Sequence, residues 1–263
     1  MLVKSLPLLV ALTLWLIVAA CTTVPITGRS AMHLISSEQL AVVAAAQFGE
    51  LKKESSVSTD ASYNAMMQRV GKRIAYAAAS DLPNANWEFV VFDDPEQINA
   101  FAMPGGKVAI YTGLFDVVKS DADLAIVLGH EIAHVVAGHG AERVTQQLLA
   151  AGGALAVDLG TREMDTEDRR LIMIAYGAGT TLGALLPYSR LHETEADEIG
   201  LIYAARAGYD PRTAIDFWSR METAKNGGPP EFLSTHPSDA TRQRRLNTIL
   251  PRALMEYHHS QLR

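Results

Sequence analysis

Two histidines one helical turn apart constrain this chain more than any other feature of its sequence. They lie in the stretch Leu128-Gly129-His130-Glu131-Ile132-Ala133-His134. On an α-helix, residues i and i+4 share a face, so the side chains of His130 and His134 reach the same point. The residues around them are almost all apolar, which predicts that this helix is buried. The fold must therefore close around a buried helix that presents two imidazoles together.

This pair of histidines has the chemistry of a zinc site. Zinc binds imidazole nitrogens at about 2.0–2.1 Å, and two imidazoles one turn apart can reach one ion. Glu131, beside the first histidine, can take a proton from an attacking water and pass it to a leaving amine. The five-residue pattern also occurs by chance on exposed helices, so a third ligand has to be found. The sequence predicts one Zn²⁺ per chain, with His130 and His134 as ligands and Glu131 as the catalytic base.

The third ligand is expected on a second helix, further along the chain. Glu193 and Asp197 are four residues apart and share a face of that helix. Glu193 is the candidate ligand, and Asp197 can orient a zinc-binding histidine by accepting its other N–H. Glu195 points about 200° away from Glu193. A solvated acidic helix face is the alternative, but the small residues Ala196 and Gly200 favour close packing on the first helix.

His139 is the other histidine near the motif. It lies five residues after His134, and on a helix it points away from the face that His130 and His134 share. The sequence therefore predicts a supporting or helix-capping role for His139 rather than a place among the ligands.

Several short motifs occur in a fixed order along most of the chain. They are Asn99-Ala100-Phe101-Ala102, Pro104-Gly105-Gly106, Gly113-Leu114, Gly129 to His134, Ser189-Arg190, Glu193 to Asp197, Thr235-His236-Pro237 and Arg242. In their order and approximate spacing, over about residues 35–250, the chain resembles the HtpX/BepA/LoiP-like group of membrane-associated zinc endopeptidases, which are related to the CAAX prenyl proteases. The small lipoprotein members of this group are the most similar.

The resemblance implies a gluzincin-type metalloprotease domain. It implies zinc bound by His130, His134 and Glu193, with Glu131 as the base. It also implies hydrolysis of peptide bonds in misfolded or membrane-associated proteins, so the expected partners are unfolded or misfolded envelope proteins.

His236 and Arg242 are the remaining candidates for the site. Pro237 follows His236 and biases it toward an extended backbone, so we expect His236 in a loop. Two roles fit this histidine: it can donate a hydrogen bond to the developing oxyanion, or it can take the open fourth position of zinc and exclude the catalytic water. Arg242 can contact an oxyanion or a substrate carboxylate. A loop histidine that caps the following helix is the alternative.

The N-terminal stretch predicts a lipoprotein signal. Residues 6–20 are almost wholly apolar, which suits the core of a signal peptide and is short for a membrane span. They end in Val18-Ala19-Ala20-Cys21, which resembles a bacterial lipobox, and Cys21 is the only cysteine of the sequence. We predict that 1–20 is a signal peptide and that lipidated Cys21 anchors the protein, facing the periplasm. Thr22, where an Asp would resemble an inner-membrane retention signal, favours the outer membrane; a short membrane anchor with an incidental cysteine is the alternative.

The rest of the chain predicts an α+β domain. Its composition is globular, with 48% hydrophobic and 20% charged residues, and its net charge of −6 excludes nucleic acid as a partner. Helices are predicted over about 36–54, 59–79, 121–138, 140–157, 166–186, 190–207, 211–224 and 238–249, and strands over 87–92, 99–103 and 107–111. We predict a lipid-anchored, extended linker over 21–35, a mainly helical metalloprotease domain with a small antiparallel sheet over 36–251, and a C-terminal tail over 252–263.

Two apolar stretches bear on membrane contact. Residues 148–159 and 171–186 are each shorter than the roughly 20 residues that a helical span needs, and glycines interrupt both. We therefore predict core helices at both places. The alternative is a membrane-apposed helical pair near the active site.

The strand over Asn99, Ala100 and Phe101 is a candidate for substrate binding. If it is an exposed edge beside the zinc helix, an extended substrate can pair with it through main-chain hydrogen bonds. Such bonds do not read side chains, which suits a protease that acts on unfolded segments. An ordinary hairpin edge is the alternative.

Two other classes of protein remain open at this point. One is a non-catalytic zinc-binding lipoprotein that acts as a chaperone or assembly factor, although the intact Glu131 argues against a scaffold that has lost its activity. The other is a metal-free helical domain with a chance motif.

Overall fold

The computed structural model of the protein describes residues 21–224, 230–236 and 241–262. The predicted signal peptide over 1–20, the glycine- and proline-rich run over 226–229 and the predicted helix start at 238–240 lie outside the described residues.

The described residues are mainly helical. The helices are α1 (Ser37–Glu54), α2 (Ala61–Ala77), α3 (Asp121–Val136), α4 (His139–Gly160), α5 (Thr166–Thr180), α6 (Leu186–Arg206), α7 (Thr213–Thr223), α8 (Glu231–Thr235) and α9 (Arg242–Gln261). The strands are β1 (Cys21–Thr23), β2 (Ser30–Met32), β3 (Glu88–Phe92), β4 (Ala100–Met103) and β5 (Lys107–Tyr111). The predicted α+β class is confirmed, and the strands predicted over 87–92, 99–103 and 107–111 are present. A π-helical turn, Thr181–Leu185, joins α5 to α6 without a gap.

The larger sheet has three strands in the order β3-β5-β4. β4 and β5 form the predicted hairpin, pairing antiparallel from Ala100↔Ile110 to Met103↔Lys107. Its turn contains Gly105 and Gly106 at φ +84° and +88°, a region that favours glycine. The prediction of a wholly antiparallel sheet is wrong, because β3 pairs parallel to β5. β5 is buried along nearly its whole length, and a strand buried on both faces takes the central position, which leaves β4 at an edge.

Helix α3 occupies the centre of the fold, and its residues from Asp123 to Ala133 are all buried. It packs on α6 at two glycines, as the small residues of α6 predicted. A Cβ built on Gly129 would lie 2.6 Å from the carbonyl oxygen of Gly200, and one built on Gly200 would lie 2.6 Å from the amide nitrogen of His130. The two backbones therefore touch, and this contact brings the acidic residues of α6 within reach of the histidines of α3.

The prediction that residues 148–159 and 171–186 form core helices is wrong, as α4 and α5 show. α5 has no buried residue, and Leu148, Leu155, Leu171 and Ile174 are each 49–58% exposed. These two helices pack on each other; for example, the Tyr176 hydroxyl donates a hydrogen bond to the carbonyl of Ala150 at 2.9 Å. No described element covers their outer faces. They therefore present apolar side chains to the surroundings.

No single helix among the described residues combines the length and the hydropathy of a membrane span. Helices α3 and α4, which bend by 49° where they meet, have that length and composition only when they are taken as a pair.

The segment after Cys21 is folded rather than extended, contrary to the predicted tether. β1 and β2 pair antiparallel, and Val24 and Ala31 are 2% and 3% exposed in the core. Arg29, in the turn between the two strands, forms ion pairs with carboxylates of α4 and α6. These apolar and ionic contacts hold the segment against the domain.

The last helix also extends beyond its predicted end at 249. α9 continues through Pro251 to Gln261, and Ala253 is fully buried. Most of the segment over 252–263, which we predicted to be a tail, is therefore part of a packed helix.

Candidate active site

Helix α3 places the two predicted histidine ligands side by side. Its start is capped by the Ser120 hydroxyl, which accepts a hydrogen bond from the amide of Asp123 at 3.2 Å. His130 and His134 follow further along the same helix, and their Nε2 atoms lie 3.1 Å apart. The helix ends just beyond them, and Gly138, at φ +70°, allows the chain to turn into α4. The two imidazoles are therefore held by one buried helix, as predicted.

Helix α6 brings Glu193 to the same point. Its carboxylate oxygens lie 3.3 Å from His130 Nε2 and 3.6 Å from His134 Nε2. The side chain is almost fully buried, and the Gly129–Gly200 contact sets the distance between the two helices. The structure thus joins Glu193 to the two histidines, as the sequence predicted.

His236 completes this group of side chains from the end of α8. Its Nδ1 atom lies 3.4 Å from His130 Nε2 and 3.4 Å from the Oε2 atom of Glu193. The short helix is held in place by Phe232, which is buried, donates its amide to the carbonyl of Ile98 at 3.1 Å and stacks on the His236 ring. The predicted loop position is close, because His236 is the residue that directly follows α8.

The four donor groups fit a zinc ion. The nearest nitrogen or oxygen atoms of His130, His134, Glu193 and His236 all lie within 4.8 Å of one another. A tetrahedral site with bonds of about 2.0–2.1 Å needs donor atoms about 3.3 Å apart, and the separations given above scatter around that value. Glu193 Oε2 is buried and has no hydrogen-bond partner among the described residues, as expected of an oxygen that serves a metal.

Glu131 lies beside this group and is 2% exposed. Its Oε1 atom is 3.4 Å from His236 Nε2. Burial raises the pKa of the Glu131 carboxyl above its usual value, while the charges of His236 and His130 and the amide of Ala102 work in the opposite direction. A carboxylate with a raised pKa is a stronger base, which suits the predicted role.

Asp197 supports His130 from behind. Its Oδ1 atom accepts a hydrogen bond from His130 Nδ1 at 3.0 Å, as predicted for this position. Burial alone would lower the pKa of His130, but Asp197 and Glu193 outweigh it and raise the pKa to about 9. This bond leaves His130 Nε2 facing Glu193 and His134.

Arg242 takes a different place from the predicted one. Its side chain is about 1% exposed, donates from Nη2 to Asp197 Oδ1 at 2.6 Å and lies 3.4 Å from the centre of the Trp218 ring. The prediction that it contacts an oxyanion or a substrate carboxylate is therefore wrong. The buried carboxylate of Asp197 needs a cation, and Arg242 supplies it from the far side of His130.

His139 supports His134 in a similar way, as the sequence analysis predicted. Its Nδ1 atom lies 2.8 Å from His134 Nδ1, and its Nε2 atom lies 3.0 Å from Glu195 Oε2. Glu195 is turned away from the four donor groups, also as predicted. The two faces of α6 thus serve the two histidines through different carboxylates.

Four residues near the site were missed by the sequence analysis. They are Arg29, Glu142, His192 and Trp218. Glu142 and His192 flank the recognised motifs, so their proximity in sequence was a usable signal. For Arg29, in a segment rich in proline and threonine, and for Trp218, the sequence alone carries no local pattern that points to the site.

β4 lies at the edge of the sheet next to α3, where a substrate strand was predicted. Ala100 is 1% exposed, and on the opposite face of the strand the half-buried Phe101 ring packs 6.3 Å from that of Phe48. The carbonyl of Asn99 accepts from the amide of Tyr111. The edge position predicted for this strand is confirmed. Its role in binding substrate stays a prediction, and that binding would depend on main-chain hydrogen bonds.

A cleft of about 340 Å³ opens beside this edge. Ala102 and Pro104 form one wall and His134 and Gly138 another, with Leu40 of α1 opposite. An extended chain in this cleft would run between the edge strand and the second histidine.

Comparison with known proteins shows the family to which the chain belongs. Residues 61–250 match the model of peptidase family M48, so the chain belongs to that family. It is 39% identical over 189 residues to the mitochondrial metalloendopeptidase OMA1 of Arabidopsis thaliana, covering 71% of this chain and 37% of that protein. It is 35% identical over 245 residues to the mitochondrial metalloendopeptidase OMA1 of Homo sapiens, covering 88% and 46%. It is 31% identical over 222 residues to a putative beta-barrel assembly-enhancing protease of Vibrio cholerae, covering 81% and 44%.

The chain spans about half the length, or less, of these relatives. The family consists of zinc metallopeptidases, which confirms the predicted class of enzyme and the predicted cofactor. The resemblance to a beta-barrel assembly-enhancing protease is confirmed as well. The relation to HtpX and to the CAAX prenyl proteases, and the lipoprotein assignment, stay predictions.

Proposed function

We propose that this protein is a zinc-dependent endopeptidase of the bacterial cell envelope that hydrolyses peptide bonds in misfolded or membrane-associated proteins. The observation that supports this most strongly is the meeting of His130, His134 and Glu193 around one point, with Glu131 beside them. Three protein ligands and one further position are the arrangement of catalytic rather than structural zinc sites.

The chemistry divides between the metal and the chain. Zinc bound by His130, His134 and Glu193 would act as a Lewis acid toward the scissile carbonyl and make water acidic enough to attack near neutral pH. Glu131 takes the proton of the attacking water and delivers it to the leaving amine. Its burial keeps bulk water from competing for that proton, and Asp197 holds the His130 ring in a fixed orientation.

The edge of β4 supports the choice of unfolded chains as substrates. An extended segment can add to this strand through main-chain hydrogen bonds and enter the cleft beside His134. The Ala100 side chain is buried and the Phe101 ring packs against Phe48 on the opposite face, so the strand offers little side-chain selectivity. A folded protein has few extended segments free to bind in this way.

The proposal is tested by the products that the purified protein forms. The zinc-loaded chain is incubated with casein and, in parallel, with a tightly folded protein of similar size, and the products are sequenced by mass spectrometry. We expect internal cleavage of casein and little cleavage of the folded protein. Products shortened only from one terminus would contradict endopeptidase activity.

A non-catalytic role is the second function considered. One relative is named a putative beta-barrel assembly-enhancing protease. That name is the reason to consider a role as a chaperone or assembly factor for envelope proteins. The intact and buried Glu131 speaks against it, because a scaffold would not need a base beside the metal. A protein that binds unfolded envelope proteins with full zinc and leaves them uncut at long times would establish the second function instead.

The position of His236 favours one of its two predicted roles. Its Nδ1 atom is near enough to His130 and Glu193 to serve as a fourth ligand, and in that position it would exclude water and substrate. We infer that the structure represents a self-inhibited state, and that His236 has to withdraw before Glu131 can act on water. Donation to an oxyanion would require the ring to lie where the substrate carbonyl can reach it, outside the ligand group.

His236→Ala should therefore speed up cleavage. If the open state is a minor population of about 10% or less, removing the competing ligand raises kcat/KM by about tenfold or more. The measurement compares casein cleavage by this variant, by wild type and by His258→Ala, which removes an exposed histidine of α9. A lower kcat with zinc retained would show that His236 assists the transition state instead. Unchanged rates and zinc affinity would leave it a structural residue.

We also propose that the protein is a lipoprotein on the periplasmic side of the outer membrane. Cys21 is exposed at the start of β1, and a cavity of about 420 Å³ connects it with Leu149 and Tyr176 of the apolar pair α4 and α5. The half-exposed leucines of these helices suit the surface of the membrane to which the lipid would anchor the chain.

Cys21→Ser should leave an unprocessed precursor that carries no lipid, because the thiol is the site of lipid attachment. Incorporation of a labelled fatty acid and the mass of the mature chain measure this directly. Thr22→Asp is the matched variant: it should be lipidated normally and move toward the inner membrane on fractionation. Normal maturation of Cys21→Ser would remove the lipoprotein assignment.

A further inference from the structure

The zinc ligand His134 is held by a chain of hydrogen bonds that ends in the N-terminal segment. We propose that Arg29, acting through Glu195 and His139, is a positioning residue for His134, so that the segment between Cys21 and α1 forms part of the metal site. This inference rests on the proposed binding of zinc by His134. It does not depend on what the enzyme cleaves.

The geometry assigns a direction to each hydrogen bond in this chain. The Nε2 atom of His134 faces His130 and Glu193, at 3.1 and 3.6 Å. When that nitrogen binds a metal, the ring proton sits on Nδ1, which then donates to His139 Nδ1 at 2.8 Å. His139 accepts on Nδ1, so its own proton sits on Nε2 and is donated to Glu195 Oε2 at 3.0 Å. His139 is therefore a neutral relay in one defined tautomer.

The Glu195 carboxylate is fixed by the turn between β1 and β2. Arg29 Nε donates to its Oε2 atom at 2.8 Å, and the Thr27 hydroxyl donates to its Oε1 atom at 2.5 Å. Glu195 is 4% exposed, so no bulk water competes for these bonds. A buried carboxylate without such donors would be costly and free to turn away from His139.

The same guanidinium holds a second carboxylate on the other side of His139. Arg29 donates from Nη1 and Nη2 to the two oxygens of Glu142 at 2.7 and 2.6 Å. Glu142 in turn bonds to His192 Nε2 at 2.9 Å, and the His192 ring stacks on His139 with centres 4.1 Å apart. Arg29 thus fixes both the hydrogen-bond acceptor of His139 and the ring that packs on its face.

A second metal ion is the competing explanation for these residues. His139, Glu142 and His192 are buried and close enough to share one ion. Both oxygens of Glu142 already bond to the Arg29 guanidinium, which would repel a cation at this place. His139 Nε2 is likewise engaged with Glu195. The arrangement is that of an ion-pair network, with Arg29 in the place of the metal.

The support of His134 parallels the support of the other histidine ligand. His130 bonds to Asp197, which Arg242 fixes; His134 bonds through His139 to Glu195, which Arg29 fixes. Removing the arginine in either case leaves a buried carboxylate without its counter-charge. In the case of Arg29 it leaves two, on Glu142 and Glu195, at adjacent places, and their repulsion would displace His139 from His134.

The test compares two arginines that both fasten the N-terminal segment. Arg29→Ala removes the network, whereas Arg252→Ala removes the contacts of Arg252 with Glu198 and with the carbonyl of Ile26 and leaves the network intact. Zinc affinity of the full chain is measured by competition with a chelator. We expect a loss of about 10- to 100-fold for Arg29→Ala and none for Arg252→Ala. Arg29→Lys should recover only part of the loss, since an ammonium group cannot make the paired hydrogen bonds to Glu142 and reach Glu195 at the same time in the fixed geometry of the guanidinium.

The tautomer of His139 provides a second test that requires no variant to fold. Nitrogen-15 NMR of the zinc-loaded wild type should show His139 neutral, with its proton on Nε2, and His134 with its proton on Nδ1. A His139 ring that carries the proton on Nδ1 or on both nitrogens would overturn the proposal. So would wild-type zinc affinity in a folded Arg29→Ala.

Both readouts are measured on zinc binding, so they separate this proposal from the proposed function. A chain that binds zinc with the expected tautomers and cuts no protein would refute the endopeptidase assignment and leave the role of Arg29 in place. A chain that cuts casein and binds zinc equally well without Arg29 would do the reverse.

Discussion

Glu131→Gln is expected to keep one zinc ion per chain and to lose nearly all cleavage of an unfolded substrate. Glutamine has almost the shape of glutamate, and Glu131 is not among the four groups that meet at the metal position, so the ligands should stay in place. The amide cannot take the proton of the attacking water. Removing a general base costs about 10²- to 10⁴-fold in rate, which is the loss of kcat/KM that we expect.

The comparison needs a control that changes the same chemical group elsewhere. Glu198→Gln alters a partly exposed glutamate of α6 that pairs with Arg252, and it should cleave casein at the wild-type rate. Zinc content is determined by elemental analysis on the same samples. Wild-type-like turnover by Glu131→Gln with full zinc would remove Glu131 from the mechanism.

Glu193→Ala should lose zinc, because it removes the one carboxylate of the four donor groups and leaves His130 and His134 with only the displaceable His236. The neighbouring variant Glu195→Ala is the matched control from the same helix. It should still bind one zinc ion per chain, but more weakly, since Glu195 touches the metal site only through His139. When both variants are titrated with the same chelator, we expect Glu193→Ala to lose its zinc at a lower chelator concentration than Glu195→Ala.

The order of the two effects decides which carboxylate is the ligand. Equal loss of zinc in both variants, or a greater loss in Glu195→Ala, would mean that the wrong glutamate has been assigned. Circular dichroism of both proteins shows whether a loss of metal reflects a change in the ligand set or a loss of the fold.

The ligands could be predicted from the sequence because helical geometry is local. His130 and His134 share a face whatever surrounds the helix, and the same holds for Glu193 and Asp197. That the two helices meet was suggested by one further local feature, the small residues Ala196 and Gly200. Two helices and a close contact between them bring together His130, His134 and Glu193, three of the four donor groups that meet in the structure.

The supporting arginines could not be predicted in this way. Arg29 and Arg242 lie 101 residues before and 112 residues after His130, and each reaches its carboxylate only through the tertiary fold. An arginine in a turn, or at the start of a helix, usually faces solvent. The counter-charge of a buried carboxylate is a property of the packed structure, so no spacing along the chain reveals which cation will supply it.

Apolar composition misled the prediction for α4 and α5. A stretch rich in leucine suggests a buried helix, but a hydrophobic residue is only suited to burial and does not ensure it. These helices cover each other and leave Leu155 and Ile174 more than half exposed. Similarly, the proline and threonine residues after Cys21 suggested a flexible tether, whereas Val24 and Ala31 anchor that segment in the core.

The measurement that tests the central claim most directly is a zinc titration of the stripped protein, followed by its rate of casein cleavage. The chain is freed of metal with a chelator and dialysed, and zinc is added in steps below and above one equivalent. The account predicts no cleavage at the start, a linear rise, and a plateau at one zinc ion per chain. Cleavage by the metal-free protein, or a fully loaded protein that leaves casein uncut, would contradict it.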